Sequence, residues 1–117
     1  MSCESYPNGC KEEEARGMLD RTILLKFKED TTEEQLLAVI DRFHSLREHL
    51  QGVPYLRGGL NVSDRSQGFQ VVLTIRFESI EALEAYEANP EHHACSAYIR
   101  ESGRLDGIVA DIEISQT

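Results

Sequence analysis

Between Thr22 and Lys28 apolar and polar positions alternate, with Ile23, Leu25 and Phe27 on one face and Leu24 and Lys26 on the other, which predicts a strand. Thr31-Thr32-Glu33-Glu34-Gln35 then offers two overlapping capping boxes, Thr31 with Glu34 and Thr32 with Gln35. Leu36, Val39, Ile40, Phe43, Leu46 and Leu50 recur at helical steps, so a helix is predicted to about Gln51, stopped by Gly52 and Pro54. Leu56 to Val62 reads as a weaker strand in which Gly58 and Gly59 mark a bulge or a close backbone approach. The alternation of Phe69, Val71, Leu73, Ile75 and Phe77 with Gln70, Val72, Thr74 and Arg76 is the clearest strand of the chain. Ser79 caps a short helix to Ala88, and Asn89-Pro90 opens another that Gly103 ends, the two meeting at a kink. Ile108, Ala110, Ile112 and Ile114 alternate with Val109, Asp111 and Glu113 in a last strand. The order is β-α-β-β-α-β, an α+β ferredoxin-like fold with one four-stranded antiparallel sheet.

Helices on one side leave the other sheet face open. By alternation that face carries Leu24, Val72 and Val109 beside Lys26, Thr74, Arg76, Asp111 and Glu113, and Lys26 and Arg76 are placed to pair with Asp111 and Glu113. A face of this mixture fits either a partner or solvent.

The 117 residues make one domain, and the excess of 21 acidic over 12 basic side chains, a net charge of -9, disfavours nucleic acid and anionic membranes as partners. Gln67-Gly68-Phe69-Gln70-Val71-Val72 faintly resembles the third-strand motif of RNA-recognition domains, but Val71 replaces a stacking aromatic and no basic residue directly precedes Gly68. No apolar run approaches the roughly 20 residues of a spanning helix, so a cytoplasmic protein is expected. Residues 1–18 lack periodicity and read as an N-terminal tail to a domain of residues 19–117, with Met18 either its first folded residue or an alternative start. Cys3 and Cys10 flank the Pro7-Asn8-Gly9 turn; reduced thiols are expected there, and neither these nor His92 with Cys95 match a zinc-finger spacing, so no metal and no cofactor is assigned.

Candidate chemistry centres on the kinked helices. On the one opened by Pro90, His92, Cys95 and Ile99 share a face, while His93 lies about 100° around, so His92 turns inward. Tyr86, near the end of the preceding helix, is brought toward it by the kink. The same pair also fits an ordinary core in which a Tyr and a His satisfy one another.

Ile23 to Lys28, Asn61-Val62-Ser63, Gly68-Phe69, Phe77-Glu78-Ser79 and Tyr86 with Asn89-Pro90-Glu91-His92 together resemble the stress-responsive dimeric α/β-barrel family over residues 19 to 115. The resemblance implies a homodimer whose two sheets close an eight-stranded barrel lined by the open faces. One member, a plant polyketide cyclase that makes olivetolic acid, uses a Tyr and a His as an acid/base pair, and Tyr86 and His92 match those positions. Arg21, Val71 and Asn89 stand where histidines are found in relatives. Taken with the alternation of the strands, this implies a small-molecule pocket bounded by Arg21, Ile23, Leu25, Val71, Leu73, Asn89 and Cys95, with Arg21 placed to hold a carboxylate. The function expected is a lyase or cyclase acting on a carbonyl substrate, or alternatively a non-catalytic stress-response or ligand-binding protein.

Overall fold

The computed structural model describes residues 18–114, in the order β1 (Leu19–Phe27), α1 (Glu33–His44), a 3-10 turn (Ser45–His49), β2 (Tyr55–Leu60), β3 (Val71–Phe77), α2 (Ile80–Ala88), α3 (Pro90–Glu101) and β4 (Arg104–Glu113). The tail with Cys3 and Cys10 lies outside the described residues, as do residues 115–117. Met18 belongs to the fold, because its carbonyl accepts from the Ile114 N–H at 2.9 Å and lengthens the β1–β4 ladder. The strands run antiparallel in the order β2-β3-β1-β4, the ferredoxin-like arrangement expected.

Local chemistry sets the element ends. Of the two candidate capping boxes, Thr32 with Gln35 forms: Thr32 Oγ1 accepts from the Gln35 N–H, and Gln35 Oε1 from the Thr32 N–H. The expected long helix tightens after His44, where the Ser45 hydroxyl donates to the Arg42 carbonyl at 2.6 Å. Tertiary bonds hold the tighter turn against β2, since His44 Nε2 accepts from the Gly58 N–H at 2.9 Å and Arg47 donates to the Leu56 carbonyl at 2.7 Å. Leu46 stays in the core. The strand predicted from Phe69 begins at Val71, and the Gln70 side chain takes over the ladder: its Oε1 accepts from the Phe27 N–H and its Nε2 donates to the Phe27 carbonyl.

Leu25, Phe27, Leu73, Ile75 and Phe77 from the sheet pack on Val39, Ile40 and Phe43 of α1 and on Tyr86, Cys95 and Ile99 from α2 and α3. Gly58 marks a close approach and no bulge, for β2 pairs with β3 in unbroken register. A Cβ there would lie 2.6 Å from Leu73 Cδ2 and 3.4 Å from the Phe43 ring. Gly58→Ala is therefore expected to destabilise the fold by about 1–3 kcal/mol through overpacking. Gly59→Ala, whose Cβ would meet nothing within 4 Å, is the control. Equal denaturation midpoints for the two variants would remove this account.

The parity of β4 is the reverse of the expectation. Leu24 faces Ile108, Thr22 faces Ala110 and Asp20 faces Ile112, so these share the open face, whereas Val109 and Asp111 lie beside Ile23 and Arg21 on the helix side. A bulge between Lys26 and Phe27 shifts the register. The apolar side of β4 was expected to seek the helix core, yet β4 is an edge strand exposed along its length, and its more apolar side faces away. The charge pairs follow the true parity: Arg76 meets Asp20 at 2.7 Å, Arg21 meets Asp111 at 2.8 Å, and Lys26 lies over the Phe69 ring.

Candidate functional site

The site is built at the corner between α2 and α3. Ser79 caps α2 by accepting from the Ala82 N–H at 3.1 Å. Asn89 ends that helix and starts the next: its Oδ1 accepts from the Glu91 N–H at 2.7 Å, and its Nδ2 donates to the His49 carbonyl at 3.0 Å. Pro90 then occupies the first helical position with its φ already set. This corner places His92 in the first turn of α3, over Tyr86 in the last turn of α2.

The two rings stack, with centroids 4.1 Å apart and planes inclined by 31°. Tyr86 is 3% exposed and also packs on Phe77, 5.2 Å away. His93 points elsewhere, its Nε2–H donating to the Glu87 carbonyl at 2.7 Å. His92 Nε2 lies 3.4 Å from the Ser96 hydroxyl, while its Nδ1 is buried and, among the described residues, has no hydrogen-bond partner. An orphaned buried polar atom costs about 1–3 kcal/mol, which a bound ligand can recover.

Burial drives the two ionisations apart. Desolvation, then neighbouring Cys95, raises the Tyr86 phenol well above its usual value, with Arg21 opposing. Desolvation, then neighbouring His93, lowers the His92 imidazole below 6.5, against a smaller contrary effect of Glu87. A neutral imidazole thus sits on a protonated phenol, a proton acceptor beside a proton donor.

A cavity of about 220 Å³ opens beside this pair, between α3 and the β1–β4 edge. Ile23, Leu25, Leu73 and Phe43 give its apolar floor, Tyr86, His92 and Cys95 close one end, and Val109 stands at the edge strand. Arg21 reaches the cavity already engaged: Nε and Nη2 donate to Asp111 at 2.8 and 3.0 Å, and Nη1 donates to Glu87 at 3.2 Å. One cation between two carboxylates leaves the trio with a net negative charge, so the guanidinium offers little to a ligand anion.

The structure brings together Tyr86, His92, Arg21, Ile23, Leu25, Leu73 and Cys95 around this cavity. Val71 and Asn89 are placed elsewhere: Val71 is fully buried in the core, and Asn89 is consumed by the helix corner. Sequence reasoning missed Ser96, Arg100 and Arg104. The signal for the first two was the four-residue step His92–Ser96–Arg100 along α3. Arg104 carried no local signal, because only the Gly103 turn and its pairing opposite Phe27 bring it there. Among the described residues no group of three or more His, Cys, Asp or Glu side chains is arranged to hold a metal ion, and no helix is long and apolar enough to cross a membrane.

The model of the Dabb family, the stress-responsive A/B barrel domain, matches residues 19–114. The chain belongs to this family. No curated protein matches the Dabb chain significantly. Among solved structures it is similar to a hydroxynitrile lyase from Passiflora edulis, at 14% identity and a TM-score of 0.74 over 87% of this chain and 97% of that one. A dimeric protein of unknown function with a ferredoxin-like fold from Bacteroides fragilis is 22% identical, with a TM-score of 0.70 over 84% and 97% of the two chains. A Dabb family protein from Mesorhizobium loti is 14% identical, with a TM-score of 0.69 over 82% and 95%. At such identities the likeness concerns the fold alone.

Proposed function

We propose that this Dabb protein is a homodimer with a small-molecule pocket in each protomer, in which His92 and Tyr86 act as base and proton donor on a carbonyl substrate. The observation that carries the reading is the stacked pair itself: an unpartnered imidazole nitrogen and a phenol, in opposite protonation roles, beside a cavity. Neutral His92 removes a proton from the carbon next to a carbonyl. The enolate carbon attacks a second carbonyl of the same substrate, a carbon–carbon bond forms as that carbonyl's π bond breaks, and Tyr86 gives its proton to the new alkoxide oxygen while the proton held by His92 restores the phenol. The apolar floor keeps water from the carbanion. A hydroxynitrile lyase shares this fold, which supports a catalytic role over a purely binding one. Turnover of β-polyketide and related carbonyl compounds by the wild type, Tyr86→Phe and His92→Ala tests the assignment. Equal rates in all three proteins would leave the binding-protein reading.

The dimer rests on the open sheet face, where Leu24, Val72, Ile108 and Ile112 form an apolar surface that no helix covers, Ile108 and Ile112 being 46% and 63% exposed. Burying such a face against its copy removes the edge and the apolar patch together. Sedimentation at micromolar concentration is expected to give twice the chain mass, and Ile112→Asp to shift it toward one chain. A wild-type monomer would remove the barrel.

A further inference from the structure

Arg100 and Arg104 are exposed side chains that line the cavity, at the opposite end of α3 from His92. Among the described residues neither makes an ion pair, while Arg21 and Arg76 each hold carboxylates. Two guanidinium groups that line one cavity can both donate to a single anion. The Arg21 trio, by contrast, carries excess negative charge and turns an anion away from the Tyr86 end. The cavity is thus electrostatically polar along its length.

We propose that Arg100 and Arg104 form an anion subsite, so that the ligand is a small carbonyl compound carrying a carboxylate at the end remote from the reacting carbonyl. This rests on the reading of the cavity given above and adds the orientation and charge of what enters it. Eight residues of helix separate His92 from Arg100, about 12 Å along the axis. Arginine side chains span part of that distance, and a chain of a few carbons along Ile23 and Leu25 spans the rest. A cavity of about 220 Å³ is small beside the roughly 300–1,000 Å³ of typical ligand sites, which suits a small ligand.

The test uses 5-oxohexanoate and its neutral isostere 5-oxohexanamide, titrated against the full-length protein by calorimetry or ligand NMR. The acid is expected to bind at least about tenfold more tightly than the amide, and this preference to shrink as salt is raised. Arg100→Gln and Arg104→Gln should each remove much of the preference, and the double variant all of it, with amide binding and melting temperature unchanged. 4-Oxopentyl phosphate distinguishes the anion: tighter binding of the carboxylate supports the assignment, and a phosphate preference overturns that choice of anion. Equal affinity for acid and amide, a preference that survives in the double variant, or no saturable binding of the acid overturns the subsite. Loss of turnover in Tyr86→Phe with the acid preference intact would isolate the catalytic pair from the subsite. An intact preference in a protein that turns over no carbonyl compound would instead sink the acid/base reading and leave the subsite standing.

Discussion

Replacing His92 by alanine is expected to lower turnover of a carbonyl substrate by about 10²- to 10⁴-fold, the usual contribution of a positioned general base. Tyr86→Phe keeps the ring that packs on Phe77 and removes only the hydroxyl, so it separates chemistry from folding. A loss of about 10²- to 10³-fold is expected for this one donor to a developing oxyanion. Because the two groups handle one proton, the double variant should be little slower than the worse single variant. The pH profile adds a check independent of substitution. His92 has its imidazole pKa lowered from 6.5, so the active neutral form persists at pH 7, and the acid limb of kcat/KM should fall below pH 6.5. Tyr86 is raised from 10.0, so it remains a donor and no alkaline limb from its ionisation is expected before pH 10. Moving the acid limb above pH 6.5, or finding it unchanged in His92→Ala, would show that another group is the base.

Phe77→Ala should cost about 3–5 kcal/mol, the range for emptying a buried aromatic site. Phe77 is fully buried, and its ring supports Tyr86 from below at 5.2 Å, so the loss is both a cavity and a missing floor for the catalytic corner. Against a total stability of about 5–15 kcal/mol for a domain of this size, the melting temperature should drop by more than about 10 °C. Val62→Ala, at a side chain 94% exposed, should stay within about 0.5 kcal/mol of wild type. A Phe77→Ala loss below 1 kcal/mol would mean that the core collapses into the space, and Tyr86 would then have to shift.

The helix and strand pattern was largely legible because each signal is local. The Thr32–Gln35 box, the Ser79 and Asn89 caps and the alternation of β3 act within a few residues of the sites they define. The same is true of the inward turn of His92, which follows from its spacing to Cys95 and Ile99 on one helix face. Local patterning could not settle β4. Both of its alternating sets contain apolar residues, and an edge strand is exposed whichever side it turns to the helices, so only the bulge and the pairing with β1 fix which set is which. The end of α1 followed the same rule, tightened by bonds from His44 and Arg47 to a strand distant in sequence.

The sequence alone therefore determined the elements, their order along the chain and the pairing of Tyr86 with His92, since these depend on periodicity and capping within short windows. Tertiary structure decided the electrostatics of the cavity. It committed Arg21 to Asp111 and Glu87 from two other elements, sent Asn89 to the His49 carbonyl, and turned Arg100 and Arg104 into the unpaired cations of the site. Ion pairing depends on distances across elements, to which residue spacing along the chain is blind.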